Sequence, residues 1–161
     1  MRILGIDCGS QTTGYGVIDS DGTRHSLVDF GIIETNAKDE FAQRLLTIGA
    51  GIRDVLAKYA PDEAAVEDTF MAVNARSALK LTHVRGVALF VLAEAGLTVG
   101  EYPPAQVKMA LVGNGRADKE QVQWMVRVLL KLPEPILKFD ASDALAVAIC
   151  HAARRPVGAT R

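Results

Sequence analysis

The sequence predicts one α/β domain, in which a five-stranded mixed sheet is flanked by helices on both faces. Three β-rich runs joined by tight turns open the chain and predict an antiparallel N-terminal meander. Helix and strand patterns then alternate, which predicts two further, parallel strands. The chain has 161 residues, of which 49% are hydrophobic and 23% are charged. This composition is that of an ordinary globular domain and excludes a disordered chain, a collagen-like repeat and a coiled coil.

The meander begins with the apolar run 2–8. Two further β-rich runs, 14–18 and 26–34, lie on either side of an Asp21-Gly22 step. An Asp-Gly step between two β-rich runs is a strong signal for a hairpin turn. The three runs are therefore predicted to pair as consecutive antiparallel strands.

A helix and a buried strand follow the meander. Apolar residues recur at spacings of three and four over residues 41–59, which is typical of an amphipathic helix. Pro61 ends this helix, because proline disfavours helical geometry in the residue before it. Residues 64–66 predict a short buried strand that runs into Glu67 and Asp68.

A second helix of roughly 20 residues is predicted between an N-cap at Asn74 and a C-terminal Gly96. It is apolar on two sides. One side consists of Leu81, Val84, Ala88 and Val91, and the other of Leu79, Val87, Leu89 and Leu92. A helix that only its own sheet covers is expected to be more amphipathic. We therefore predict a homodimer interface on this helix; a plain buried helix is the alternative.

The next elements are a strand and a helix. Residues 97–102 predict the fifth strand, and a turn is expected at Pro103 and Pro104. Asp118 and Gln121 have the spacing of a capping box and predict the start of a helix.

The chain then passes through a rigid, proline-containing linker over 132–135 into a last, alanine-rich helix over 140–154. We expect Trp124 and Phe139 to lie in the core. The whole chain of 161 residues is interpreted as a single domain. A short C-terminal tail over about 155–161 is expected to be flexible.

The net charge of −1 conceals an uneven distribution. Residues 1–75 carry −6, residues 76–131 carry +4 and residues 132–161 carry +1, which predicts a polarised surface. Cys8 and Cys150 lack the spacing of a zinc site and are expected to be buried, reduced thiols. We recognise no signal peptide and no apolar run of membrane-spanning length. We therefore expect a soluble, cytoplasmic protein that does not bind membranes.

Four carboxylates are candidates for a metal site. Asp7 and Glu67 each end an apolar strand, and functional groups gather beyond the carboxyl ends of neighbouring strands. Asp140 and Asp143 lie three residues apart and share a face at the start of the last helix. Clustered carboxylates repel one another, and Mg²⁺ or Mn²⁺ would relieve that repulsion. Two such ions support phosphodiester hydrolysis; in the plain alternative these residues are helix caps and solvated strand ends.

Basic residues are concentrated between these acidic pairs. Lys108 and Lys119 flank a loop over 113–115 that calls for unusual backbone angles. Further candidate phosphate contacts are Arg76, Lys80, Arg85, Arg116 and Arg127. Such a surface would bind DNA phosphates without reading sequence; a solvated charged face is the alternative. Phe70, in the loop after Glu67, could stack on an unpaired base or could be a core residue.

Taken together, these motifs resemble the RuvC family of Holliday-junction resolvases, which have an RNase H-like fold. The resemblance runs from Ile3 to about His151. It is carried by the order and spacing of GIDCGS at 5–10, GYG at 14–16, EDTFM at 67–71, Asn74, SALK at 77–80, QVK at 106–108, Lys119, QV at 121–122, LKLP at 130–133 and DASDALA at 140–146.

The resemblance implies a complete catalytic set. The carboxylates implied to hold two Mg²⁺ ions per subunit, with Mn²⁺ as a substitute, are Asp7, Glu67, Asp140 and Asp143. Lys108 and Lys119 match active-site lysines, and Phe70 matches an aromatic residue that engages bases at the crossover. The implied activity is paired, symmetric nicking of four-way junction DNA by a homodimer, in recombination and repair. The implied partners are the junction-binding and branch-migration motor proteins of the same pathway.

Two other functions fit part of the sequence. ATPases of the Hsp70 and sugar-kinase type have a phosphate loop that resembles residues 5–12, but they bind nucleotide between two domains, and one domain is predicted here. A junction-binding module without catalysis is the non-enzymatic alternative. Such a module would be expected to lose negative charge where it binds phosphate, whereas all four carboxylates are present.

Overall fold

The computed structural model describes residues 1–68, 74–134 and 138–154. The described strands are β1 (Arg2–Asp7), β2 (Thr12–Ser20), β3 (His25–Glu34), β4 (Glu63–Glu67) and β5 (Thr98–Tyr102). The described helices are α1 (Phe41–Tyr59), α2 (Ala75–Glu94), α3 (Pro104–Val112), α4 (Lys119–Leu129) and α5 (Phe139–Arg154).

These strands form one mixed sheet in the order β3-β2-β1-β4-β5. β2 pairs antiparallel with β1 and β3, whereas β4 pairs parallel with β1 and β5. The predicted meander and the two parallel strands are confirmed. Gly22 turns the chain between β2 and β3 at a φ of 99°, which glycine adopts without steric strain. Parallel pairing brings the carboxyl ends of β1 and β4 to the same edge of the sheet.

Helices cover both faces of the sheet, as predicted. Side chains alternate between the faces along each strand. Ile3 and Ala65 are buried in the cluster formed with α3, α4 and α5. Leu4 and Val66 are buried in the cluster formed with α1 and α2. The central strands are therefore covered on both sides.

Helix α5 lies close against the sheet because glycines occupy the contact positions. A Cβ atom at Gly5 would meet the backbone oxygen of Ala144. A Cβ atom at Gly14, which pairs with Asp7 across β1 and β2, would meet the backbone oxygen of Asp140. The first turns of α5 are thus held beside the end of β1.

The predicted signals at helix ends are confirmed. Asn74 accepts a hydrogen bond from the backbone N–H of Ser77 at 2.9 Å. Asp118 and Gln121 form both hydrogen bonds of a capping box at the start of α4. Gly96 follows α2 in the left-handed region, with a φ of 75°.

Helix α3 is an element that sequence reasoning missed, because only a turn was expected at Pro103 and Pro104. Pro104 takes the first helical position, where its missing N–H would have no partner in any case. Gly113 ends the helix in the left-handed conformation. The helix buries only Val107 and Leu111, and two buried residues are too few to give a recognisable period.

The expectation that two large aromatic residues lie in the core was wrong. Trp124 is 59% exposed and Phe139 is 38% exposed. Helix α4 buries Val122 and Val126 instead, which leaves Trp124 on the outer face.

The two cysteines, Cys8 and Cys150, are buried free thiols, as expected. In the loop 113–115, only Gly113 has a positive φ. Within the described ranges, no helix is long and apolar enough to cross a membrane. Residue 135 of the predicted linker and the predicted tail over 155–161 lie outside the described residues.

Candidate active site

The ends of β1 and β4 open into a cleft of about 270 Å³. Asp7 is the last residue of β1, and Glu67 is the last residue of β4. The cleft is lined by Asp7, Glu67, Pro104, Val107, Lys108, Lys119, Val122, Asp143 and Ala146. The structure therefore brings together three of the four predicted carboxylates and both predicted lysines.

Asp140, the fourth predicted carboxylate, is not among the lining residues of this cleft. It lies in the first turn of α5. Its negative charge helps to raise the pKa of Asp7 and the pKa of Asp143. Asp140 thus stands beside the cleft and contributes to its electrostatic potential.

Burial and mutual repulsion disfavour ionisation of these carboxyl groups. Burial raises the pKa of Asp7 well above its usual range, and the charges of Glu67 and Asp143 raise it further. Burial also raises the pKa of Glu67 to about 7, with a further contribution from Asp143. The pKa of Asp143 is likewise raised by burial. A buried carboxylate cluster of this kind is stabilised by added positive charge.

Two lysines supply part of that charge. The Nζ atom of Lys119 lies 3.3 Å from Oδ2 of Asp143, and the charge of Asp143 raises the pKa of Lys119. Lys108 projects from α3, and its charge opposes the rise in the pKa values of Glu67 and Asp143. The cleft therefore has carboxylates next to ammonium groups that can face a phosphate.

The donor set of the cleft fits a hard divalent cation in its chemistry. It offers carboxylate oxygens, which Mg²⁺ and Mn²⁺ prefer. When the three carboxylates are ionised, the two lysines cannot neutralise all of their negative charge. Among the described residues, the side chains as placed bring no three Asp, Glu, His or Cys residues close enough together to hold an ion. Asp7, Glu67 and Asp143 would therefore have to turn toward an ion in order to ligate it.

The other predicted DNA contacts lie outside the lining of the cleft. Arg76 is exposed near the start of α2, and Nζ of Lys80, one turn further on, lies 5.7 Å from the ring centre of Phe41. Arg116 is exposed in the loop before α4. Phe70 falls within 69–73, outside the described residues.

Two arginines that were candidate phosphate contacts are bonded to protein atoms in this structure. Arg127 donates a hydrogen bond from Nη2 to the backbone oxygen of Pro133 at 2.8 Å. The guanidinium group of Arg85 pairs with the carboxylates of Asp68 and Glu101. Neither guanidinium stands free at the surface.

Four uncharged residues complete the cleft and were missed by sequence reasoning. Pro104 and Val107 belong to α3, which the sequence did not reveal. Val122 and Ala146 lie on stripes of α4 and α5 that look like ordinary core positions. Helical spacing could have flagged these two as buried, but nothing in the sequence assigns them to a cleft wall.

Comparison with known proteins finds the same family by a family model and by individual relatives. The chain matches the family described as crossover junction endodeoxyribonuclease RuvC over residues 3–151. It is 57% identical to the protein of that description from Geobacter metallireducens, over 94% of this chain and 92% of that protein. It is 58% identical to the one from Syntrophotalea carbinolica, over 94% of each chain.

Solved structures agree with this result. The Thermus thermophilus RuvC structure in complex with a Holliday junction substrate matches with a TM-score of 0.89 and 36% identity, over 94% of this chain and 93% of that chain. The yeast mitochondrial Holliday junction resolvase matches with a TM-score of 0.66 at 11% identity, which shows a shared fold. The predicted RNase H-like fold is confirmed. By sequence and by structure, this chain belongs to the RuvC family of crossover junction endodeoxyribonucleases.

Proposed function

We propose that this protein is a Holliday junction resolvase. It is an endonuclease that cuts four-way junction DNA by paired, symmetric, metal-dependent phosphodiester hydrolysis, in homologous recombination and DNA repair. The observation that carries the proposal is the cleft in which Asp7, Glu67 and Asp143 meet Lys108 and Lys119, in a member of the RuvC family. Carboxylates that can hold cations, next to ammonium groups that can hold phosphate, suit this reaction.

The carboxylates would hold the cofactor. The residues assigned to two Mg²⁺ ions per subunit, or to Mn²⁺ in their place, are Asp7, Glu67, Asp140 and Asp143. When bound, the two ions would activate a water molecule and stabilise the leaving oxygen. Asp7 and Glu67 are partly buried in the cleft, so bulk water screens their charges less, which strengthens their attraction for a cation.

The lysines would contact the phosphate that is cut. In the protein alone, Nζ of Lys119 is paired with Asp143 at 3.3 Å. If Asp143 turned to ligate a cation, this ammonium group would become available for a phosphate oxygen. Lys108 faces the same cleft. Both would stabilise the negative charge that develops on the phosphate in the transition state.

The basic residues outside the cleft would position the junction arms. Arg76, Lys80 and Arg116 would contact backbone phosphates, so their contribution would fall steeply as salt increases. Phe70 would stack on a base at the crossover, an interaction of ~1–3 kcal/mol.

The active form would be a homodimer that associates through α2. Leu79 and Phe90 are each 62% exposed, and they share one helical stripe with His83 and Gly86. A Cβ atom at Gly86 would meet no atom within contact range. An exposed apolar stripe favours contact with a second copy, and two-fold symmetry would supply one cleft for each strand. The protein would act in the cytoplasm with junction-binding and branch-migration motor proteins.

A cleavage assay on an end-labelled synthetic four-way junction tests the proposal. With Mg²⁺ or Mn²⁺, the protein should nick two strands of like polarity at symmetric positions and leave ends that a ligase can seal. A linear duplex of the same sequence should stay uncut, and so should the junction in EDTA. Asp7→Asn should bind the junction without cutting it. Wild-type protein that binds junctions of varied core sequence but cuts none with either ion would contradict the proposal.

A further inference from the structure

Arg85 of α2 is a largely buried charged residue next to the end of β4, on the face of the sheet opposite the cleft. Its side chain is only 20% exposed, and its Nη2 atom lies 3.4 Å from Oδ1 of Asp68. The same Nη2 atom pairs with Oε2 of Glu101 on β5. Its Nε atom is buried without a hydrogen-bond partner in the described part of the chain. One guanidinium thus joins α2 to the ends of two parallel strands.

The sheet places Asp68 and Glu67 on opposite faces. Side chains alternate along a strand: Ala65 packs in the cluster with α5, and Val66 packs in the cluster with α2. Glu67 accordingly lines the cleft, while Asp68 faces Arg85 on the other side.

The backbone on either side of Glu67 is also fixed. Val66 pairs with Glu101 across β4 and β5, and the N–H of Asp68 donates a hydrogen bond to the backbone oxygen of Tyr102 at 2.8 Å. Arg85 binds the side chains of Asp68 and Glu101. Asp68 directly follows β4 and Glu101 lies on β5, the two strands whose pairing is fixed by these backbone contacts. Any shift of α2 relative to the sheet would therefore act on the residue next to Glu67.

We propose that Arg85 is a positioning residue that holds the Glu67 carboxylate in place for a metal ion by clamping Asp68 from the opposite face of the sheet. The clamp also ties Glu67 to α2, the helix that bears Arg76 and Lys80. An arginine suits this role because its guanidinium group stays charged when it is largely buried, and here its Nη2 atom contacts both carboxylates. The inference rests on the proposed function of the cleft.

Groups that orient a metal ligand without touching the metal typically change metal affinity by about 10–100-fold when mutated. We therefore expect Arg85→Met to weaken binding of Mn²⁺ to the DNA-free protein by roughly tenfold or more, measured by titration calorimetry. Junction affinity in EDTA should change by less than about threefold, because Arg85 makes no phosphate contact in this role.

Helix α2 offers a matched control. Glu94, in its last turn, pairs with Arg53 of α1 at 2.8 Å, and both side chains are about half exposed (48% for Arg53, 51% for Glu94). Arg53→Met removes an arginine–carboxylate pair from the same helix at the end remote from the cleft. This variant should bind Mn²⁺ like the wild type. Equal weakening in both variants would show a general effect of loosening α2 and would overturn the inference.

Two further variants keep the test decisive if Arg85→Met does not fold. Arg85→Lys keeps the charge but loses the planar guanidinium group, and Asp68→Asn keeps the shape but loses the charge. Each should weaken Mn²⁺ binding in the same direction while the variant still unfolds in a single cooperative thermal transition, which shows that it is folded. Wild-type affinity in the folded variants overturns the role of Arg85. If the wild-type protein itself neither binds Mn²⁺ nor cuts junctions, the proposed function fails instead, so the two failures are distinguishable.

Discussion

Replacing Glu67 by glutamine is expected to stabilise the metal-free protein while abolishing its activity. Burial raises the pKa of Glu67 from 4.5 to about 7. One pKa unit corresponds to about 1.4 kcal/mol, so ionising this group costs the folded state about 3 kcal/mol.

The sign of the pH dependence follows from the raised pKa. Below pH 4.5 the carboxyl is protonated in both the folded and the unfolded state, and the cost is absent. Between pH 4.5 and about 7 the unfolded chain loses its proton first, so the free energy of unfolding falls as pH rises. Above about pH 7 the full cost is present. Glutamine cannot ionise, so Glu67→Gln should avoid this loss.

Thermal unfolding in EDTA at pH 5 and pH 8 measures the effect. For a domain of this length, about 3 kcal/mol corresponds to a rise in melting temperature on the order of 5–10 °C, expected at pH 8 and much reduced at pH 5. Glu120→Gln, an exposed carboxylate at the start of α4, should show no such pH-dependent gain. Saturating Mg²⁺ should stabilise the wild type but not Glu67→Gln. Equal melting temperatures of wild type and Glu67→Gln at pH 8 in EDTA would show that ionised Glu67 does not destabilise the folded protein.

Three other predictions concern the cleft, the packing of α5 and the interface on α2. Lys119→Met should lower the rate of junction cleavage by about 10²-fold while leaving junction affinity within about threefold. The control Lys58→Met, far from the cleft, should change neither the rate nor the affinity. An equal loss of binding and cleavage in Lys119→Met would assign Lys119 to DNA binding alone. Gly5→Ala places a Cβ against the backbone oxygen of Ala144 and should cost ~2 kcal/mol or more in urea unfolding; an unchanged midpoint would mean that α5 can move away freely. Phe90→Lys should shift sedimentation toward the monomer, whereas Leu46→Lys, at a 60% exposed position of α1, should not; two identical profiles would place the dimer contact elsewhere.

The elements that could be predicted from the sequence are those with local signals. The hairpin at Gly22 and the capping residues Asn74 and Asp118 act within a few residues, so their physics is visible in the sequence. Asp7 and Glu67 could also be placed, because each ends a short apolar run that only a buried strand explains.

The features that sequence reasoning missed depend on packing between distant elements. Helix α3 buries too little to show a period, and Trp124 faces outward because the valines of α4 take the core positions. Arg85 looked like one more phosphate contact on a basic helix. Its partner Glu101 is 16 residues away, and only the packing of α2 against β4 and β5 brings the two together.

Cutting of a supercoiled plasmid that extrudes a four-way cruciform tests paired hydrolysis by this cleft most directly. Paired nicks within one junction convert the supercoiled circle directly to linear DNA, whereas unpaired nicks give open circles. Linear product is expected with Mg²⁺, none in EDTA and none with Asp7→Asn. Open circles as the final product, or linear DNA formed equally well by Asp7→Asn, would contradict paired cutting by this carboxylate cleft.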